Sequence, residues 1–339
     1  MPNNPTKILL LTTLIGGILI SISSNSWLGA WMGLEVNLMS FIPLMSSQDD
    51  LYTTEASLKY FLIQALASST LLFLVIMKAL AGSLQILTDL SPYMVMTPLL
   101  LKMGAAPLHW WFPSVMEGLS WMNNLLLMTA QKMAPMILIS YLMKMNTPTF
   151  MIILASVIVG SVGGMNQTSL RKILTYSSIN HTGWMLTAML GGINLWMMYF
   201  AVYTILTSTM ALVAKSFNIS FVNQAMAATK STAVKFLLFT TLLSLGGLPP
   251  FVGFLPKWMV IQMLIANNLS FVMTTMVVAS LATLYYYLRV CYSSFSILFD
   301  SPKWFPHNNT DNKIITYGVV LSSASMLGLL MCTLITDIN

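Results

Sequence analysis

Apolar residues fill this chain in about eleven runs of roughly 20, the length a helix needs to cross the hydrocarbon core of a bilayer. The runs occupy about 7–24, 27–46, 56–78, 91–112, 121–143, 147–167, 170–190, 193–214, 235–266, 270–292 and 314–336. Connections are short, except around Lys215–Lys235 and from Ser293 to Lys313. The pattern predicts an all-α, polytopic membrane protein with about 11 transmembrane helices.

Two of these runs carry helix breakers beside a lysine. The fourth has Lys102 near its midpoint, between Leu101 and Met103, with Pro107 just after. The ninth is too long for one straight helix and is interrupted by Gly246, Gly247, Leu248, Pro249 and Pro250, ahead of Lys257. They lie five spans apart, an odd number, and so cross in opposite senses. Broken helices at matching positions mark transporters built from two inverted repeats. Repeat one then covers about 7–143 and repeat two about 147–292, with a helix at about 314–336 appended, all within a single transmembrane domain over 1–339. Residue-level identity between the halves is not evident, so this expectation rests on the breaks.

Composition agrees with the pattern: 57% of residues are hydrophobic and 7% charged, against about 25% charged in soluble domains. The net charge of +6 is thinly spread without a basic cluster, which argues against a nucleic-acid partner. Cys291 and Cys332 are too few for an iron–sulfur cluster, which needs about four thiolates, and read as small apolar fillers. No glycine-rich nucleotide fingerprint follows a strand. No metal or redox cofactor is therefore expected on this chain. Lys7 followed by the run Ile8–Ile22 resembles a signal peptide, but ten further apolar runs make it a first transmembrane helix. Twenty-nine methionines suggest an organelle-encoded chain.

Loop charges orient it. With the N-terminus inside, ten basic residues (Lys7, Lys59, Arg171, Lys172, Lys215, Lys230, Lys235, Arg289, Lys303 and Lys313) fall on the inner side and two, Lys78 and Lys144, on the outer. The C-terminus then lies outside.

Four ionisable residues sit deep in the apolar runs: Glu35 in span 2, Lys102 in span 4, Lys132 in span 5, three residues before Pro135, and Lys257 after the break in span 9. A charge at mid-bilayer costs at least about 2.5–3.5 kcal/mol, so such residues mark proton or ion pathways. Burial favours a neutral amine and a nearby carboxylate favours an ammonium, so moving a carboxylate towards or away from a lysine loads or unloads a proton. His109 and His181 are relay candidates, since imidazole titrates near neutrality. Glu55 and Lys59 are spaced i, i+4 at the start of span 3, which surface pairing explains; a functional role for Lys59 is the weaker reading. Glu117 reads as a solvated helix end. The same buried charges are also compatible with a stand-alone cation/proton antiporter, or with a scaffold whose lysines only hold helices together.

The stretches SNSWLGAWMGLEVNLMSFIPL, TEASLKYF, LLLKMGAAPLHWWFP, NQTSLRKILTYSSINHTGWM and SLGGLPPFVGFLPKW resemble the antiporter-like membrane subunits of NADH:ubiquinone oxidoreductase, respiratory complex I, in wording closest to the mitochondrially encoded insect versions. The resemblance runs along essentially the whole chain. It implies proton translocation across the mitochondrial inner membrane, with the N-terminus on the matrix side and the C-terminus on the intermembrane-space side, driven by quinone reduction elsewhere in the complex. It matches Glu35 and Lys102 to a coupling Glu–Lys pair, Lys132 to a central-axis lysine, Lys257 to a lysine near the outlet, and His109 and His181 to polar positions on the same hydrated axis. NADH, FMN, iron–sulfur clusters and ubiquinone would belong to other subunits. The partners implied are the other membrane-arm subunits and phospholipids, not further copies of this chain. Bacterial members carry three additional N-terminal helices; eleven spans match the shortened animal form.

Overall fold

The computed structural model describes residues 5–46, 50–80, 85–217, 219–222, 224 and 232–295. The expected eleventh span at 314–336 lies outside them, as does Cys332. Two units divide the chain, residues 1–152 and 153–339. The described residues form thirteen α-helices, and Ser169 and Phe221 pair in an isolated bridge.

The first unit contains α1 (Pro5–Ser23), α2 (Trp27–Met45), α3 (Leu51–Leu80), α4 (Gln85–Met103), α5 (Trp111–Gly118), α6 (Trp121–Met128) and α7 (Ala130–Ser140). From Thr147 the chain continues as α8 (Thr147–Gly163), α9 (Leu170–Leu190), α10 (Ile193–Ser216), α11 (Thr232–Gly246), α12 (Phe254–Ala266) and α13 (Ser270–Phe295). Among the described residues, five helices are both long and apolar enough to cross a membrane: α1, α2, α3, α10 and most of α13. The remaining expected spans differ for physical reasons. Spans 4, 5 and 9 are each interrupted, α8 has only 17 residues, and α9 is rich in buried hydroxyl and amide side chains.

Small residues set the closest helix crossing of each unit, as expected where lipid tails compete with every apolar contact. A Cβ on Gly17 of α1 would meet Asn37 N of α2 at 2.8 Å, and one on Gly160 of α8 would meet Asn180 N of α9 at 2.4 Å. Gly17 and Gly160 are 143 residues apart, as are Asn37 and Asn180. The helix starts keep nearly the same spacing: Trp27 with Leu170, Leu51 with Ile193, Trp111 with Phe254.

The two expected breaks share one geometry. After α4, Gly104 takes φ +70°, its N–H reaches Leu101 O at 3.1 Å, and Ala105 N–H reaches Leu100 O at 3.1 Å. After α11, Gly247 takes φ +78°, its N–H reaches Ser244 O at 3.0 Å, and Leu248 N–H reaches Leu243 O at 3.4 Å. Both are Schellman closures, in which a left-handed residue lets two N–H groups turn back onto orphaned carbonyls, and glycine takes that φ without a Cβ penalty. Prolines follow at the same offsets, Pro107 and Pro113 in one, Pro250 and Pro256 in the other. Pro113 and Pro256 fall in the first turns of α5 and α12, where a missing N–H costs nothing.

Span 5 breaks as well, which the sequence pattern does not predict. Thr129, at φ −113° and ψ −77°, separates α6 from α7. Lys132 N–H then bonds Thr129 O at 3.1 Å, a three-residue turn in place of the helical four. Pro135, in the next turn, cannot donate back to Gln131. Lys132 therefore lies between two backbone irregularities. Proline alone does not break a helix when a neighbour substitutes for its N–H. Pro98 leaves Met94 O without its helical partner, and Thr97 Oγ1 donates to that carbonyl at 2.8 Å.

Candidate functional site: buried lysines at helix breaks

In the first unit the site is assembled from α2, α3, α4 and α7. Lys102 occupies the last turn of α4, closer to the break than the midpoint position expected, and is 7% exposed. A cation there faces the carbonyl-rich, negative end of the helix dipole. The freed carbonyls are provided for: Gln64 Nε2 of α3 donates to Lys102 O at 3.2 Å, and Trp111 Nε1 donates to Leu101 O at 3.0 Å. Beside Lys102 lies a small gap bordered by the polar side chains Asn37, Tyr60, Gln64 and Gln131 and by Leu34, Leu38 and Pro135. It has room for about one water molecule.

An amide pair closes the floor of this gap. Asn37 Nδ2 donates to Gln131 Oε1 at 3.0 Å, Gln131 Nε2 returns a bond to Asn37 Oδ1 at 3.1 Å, and the Tyr60 hydroxyl adds a bond to Gln131 Oε1 at 3.3 Å. Truncating Gln131 to leucine strands Asn37 in an apolar setting, at about 1–3 kcal/mol. Gln131→Leu is expected to lower the thermal midpoint of the assembled protein, read by heating detergent-solubilised complex and resolving it on native gels.

Glu35 is half-buried at the middle of α2, and its Oε2 is buried without a hydrogen-bond partner. Among the described residues no close ion pair joins it to Lys102. Lys132 is 1% exposed, and its Nζ stands 5.0 Å from the centre of the Phe112 ring. That cation–π contact contributes about 2 kcal/mol when dry.

In the second unit Lys257, 4% exposed on α12, donates from Nζ to Gly246 O at 2.8 Å, the last carbonyl of α11. Its Nζ also lies 5.7 Å from the Trp184 ring centre. Gly247 is required here by its φ, and a Cβ would also displace the lysine, meeting Lys257 Cδ at 2.8 Å. His181 lies on α9, of whose 21 residues 17 are buried, and its Nδ1 is 2.8 Å from the Tyr199 hydroxyl. Tyr203 packs its ring 5.2 Å from the imidazole.

The structure thus gathers Lys102 with the polar gap of the first unit and places Lys257 and His181 among polar groups of the second. His109 stands apart, half-buried in the connection after α4, with Nδ1 3.2 Å from Pro107 O. Lys59 is exposed and pairs with Glu55 at 2.6 Å, and Glu117 is exposed near the end of α5. Among the described residues no group of three or more His, Cys, Asp or Glu side chains is placed to hold a metal ion. The charge-based reading passed over Asn37, Gln64, Gln131 and Tyr199. All four are polar residues inside apolar runs, so the reasoning that singled out the lysines, extended to amides and hydroxyls, finds them.

Helices broken mid-span with ionisable groups buried at the breaks define a polytopic membrane protein of the ion-translocating class. Residues 24–283 match the family model described as NADH:quinone oxidoreductase/Mrp antiporter, TM, and the chain belongs to that family. It is 50% identical over 330 residues to NADH-ubiquinone oxidoreductase chain 2 of Anopheles gambiae, covering 96% of each chain. Proteins of the same name from Locusta migratoria, 43% identical with 98% of this chain and 97% of the relative covered, and Xenopus laevis, 41% identical with 94% and 96% covered, are also similar. Among solved structures, a chain of respiratory complex I from Thermus thermophilus superposes with a TM-score of 0.86 at 24% identity, covering 97% of this chain and 79% of that one. A chain of the Mrp complex from Dietzia sp. gives 0.83 at 16% identity, covering 96% and 75%.

Proposed function

We propose that this chain is a proton-translocating, antiporter-like membrane-arm subunit of respiratory complex I in the mitochondrial inner membrane. Glu35, Lys102, Lys132 and Lys257 carry the proton, and His181 relays it. The carrying observation is the burial of three lysines to 7%, 1% and 4% exposure, each beside a helix break. A broken helix end gives the ammonium carbonyl oxygens in place of water, yet leaves the amine free to lose its proton when the surrounding charge changes. One charge moved against 100 mV costs about 2.3 kcal/mol, and one unit of lysine pKa is about 1.36 kcal/mol. A modest displacement of Glu35 relative to Lys102 therefore works on the right energy scale.

The matched breaks at Gly104 and Gly247, the matched crossings at Gly17 and Gly160, and Tyr60 with Tyr203, all 143 residues apart, support reading the two units as inverted repeats. The loop charges support a matrix-side N-terminus. Neighbouring membrane subunits and phospholipids cover the exposed apolar faces, and NADH, FMN, iron–sulfur clusters and ubiquinone are held by other subunits.

Lys132→Met and Lys257→Met in the assembled complex test this. Coupled NADH:quinone turnover and vesicle acidification are expected to fall about a hundredfold, the scale of losing one proton-transfer group, while native gels show the usual amount of complex. Full turnover with ordinary acidification in either variant overturns the proposal.

A further inference from the structure

We propose that Phe112 is a ring gate between the Lys102 gap and Lys132, tethered through Trp111 to the helix end that carries Lys102. The inference rests on the proton-conducting reading above and adds a positioning residue to it.

Two independent observations carry it. The first is where the polar gap stops. Gln131 and Pro135 border it, but Lys132, between them in sequence, does not. The Lys132 Nζ instead rests 5.0 Å from the centre of the Phe112 ring. Phe112 is itself 1% exposed, so apolar ring rather than water meets the ammonium on that side.

The second is how that ring is held. Phe112 packs against the break itself: a Cβ on Gly104 would meet Phe112 Cβ at 3.0 Å and Cγ at 3.2 Å. Its neighbour Trp111 stands edge-on to it with ring centres 5.5 Å apart, and donates its indole N–H to Leu101 O, one residue before Lys102. Trp111 in turn packs on Tyr60, whose hydroxyl reaches Gln131. A shift of the α4 end is therefore passed by the indole to the Phe112 ring, and by the ring to Lys132. With the ring seated, the ammonium rests against an apolar face; with the ring withdrawn, the Lys102 gap can extend towards it. Protonation of Lys132 is thereby timed to movement at Lys102, and back-flow is blocked between strokes.

The test is the ratio of protons moved to NADH oxidised by the assembled complex in sealed vesicles. Phe112→Leu keeps apolar volume but removes the ring face, and is expected to lower that ratio about twofold or more by leakage past an open gate. A wild-type ratio in Phe112→Leu overturns the gate. Should that variant fail to assemble, Trp111→Phe decides, since it keeps a ring and loses only the tether to Leu101. A lowered ratio there supports the proposal and an unchanged one overturns it. Lys132→Met run in parallel separates the two levels: normal proton movement in it defeats the proton-conducting reading itself, whereas loss in it beside a normal Phe112→Leu defeats only the gate.

Discussion

Replacing Lys102 by methionine is expected to abolish proton pumping while leaving the complex assembled. Methionine fills a similar volume, so α4 and the gap it borders lose a charge rather than their packing. What is lost is the titratable partner of Glu35, whose buried Oε2 has no hydrogen-bond donor of its own. Coupled turnover should drop by about two orders of magnitude, the range assigned to a positioned proton donor or acceptor. Lys102→Arg is the sharper experiment, because guanidinium keeps the positive charge and does not give up its proton in proteins. If the lysine served only as a static counter-charge, arginine would work; for a group that must release a proton, arginine fails as methionine does. Acidification of vesicles, measured alongside the amount of complex on native gels, distinguishes the two.

The second large effect is structural. Gly253 begins the turn into α12, and a Cβ there would lie 1.8 Å from the carbonyl oxygen of Ser244. That oxygen is one of those closing the α11 break, bonded by Gly247 N–H. It is backbone on both sides, with no flexible side chain to give way. Gly253→Ala is therefore expected to push α12 off the end of α11 and carry the Lys257 ammonium away from Gly246 O. Assembled complex should fall below detection on native gels, in contrast to the lysine variants. Gly192→Ala is the control: Gly192 has φ +123° but nothing within 4 Å of its Cβ position. It should cost only backbone strain, of about 1–3 kcal/mol, with the complex still present.

How much of this was legible in the sequence depends on what lipid penalises. A lysine among leucines stands out because its solvation cost is large and local, so Glu35, Lys102, Lys132 and Lys257 were visible at once. The break after Lys102 was visible through Pro107, and the one at Gly246–Pro250 through its glycines and prolines. The break at Thr129 was hidden, since threonine is ordinary in a helix and the irregularity comes from its tertiary setting. The Asn37–Gln131 pair was hidden for another reason: its partners lie 94 positions apart, and no local rule joins them. The register between the halves escaped because it survives at isolated small or polar positions, Gly17 with Gly160, Asn37 with Asn180, Tyr60 with Tyr203, Gly104 with Gly247. Between them one apolar residue serves a lipid-facing or packed position about as well as another. The coincidences at this spacing that carry structural meaning are those that lack a Cβ, bend the chain or present a polar group, beside a few apolar ones such as Leu99 with Leu242.

The length of α3 works as a depth gauge. Its 30 residues extend about 45 Å, overreaching the hydrocarbon slab, with the Glu55–Lys59 pair near its first end. Gln64, which holds the carbonyl of Lys102, is the fourteenth of those residues and so stands about 20–24 Å from either tip. At a spacing of about 2.8 Å, a file of about seven to nine hydrogen-bonded oxygens is needed to reach that level from either aqueous phase. The gap beside Lys102 supplies about one such place. On the proposed path past Lys102, the membrane is crossed not through a standing pore but through a column of water and hydroxyls that is completed anew each time a proton passes.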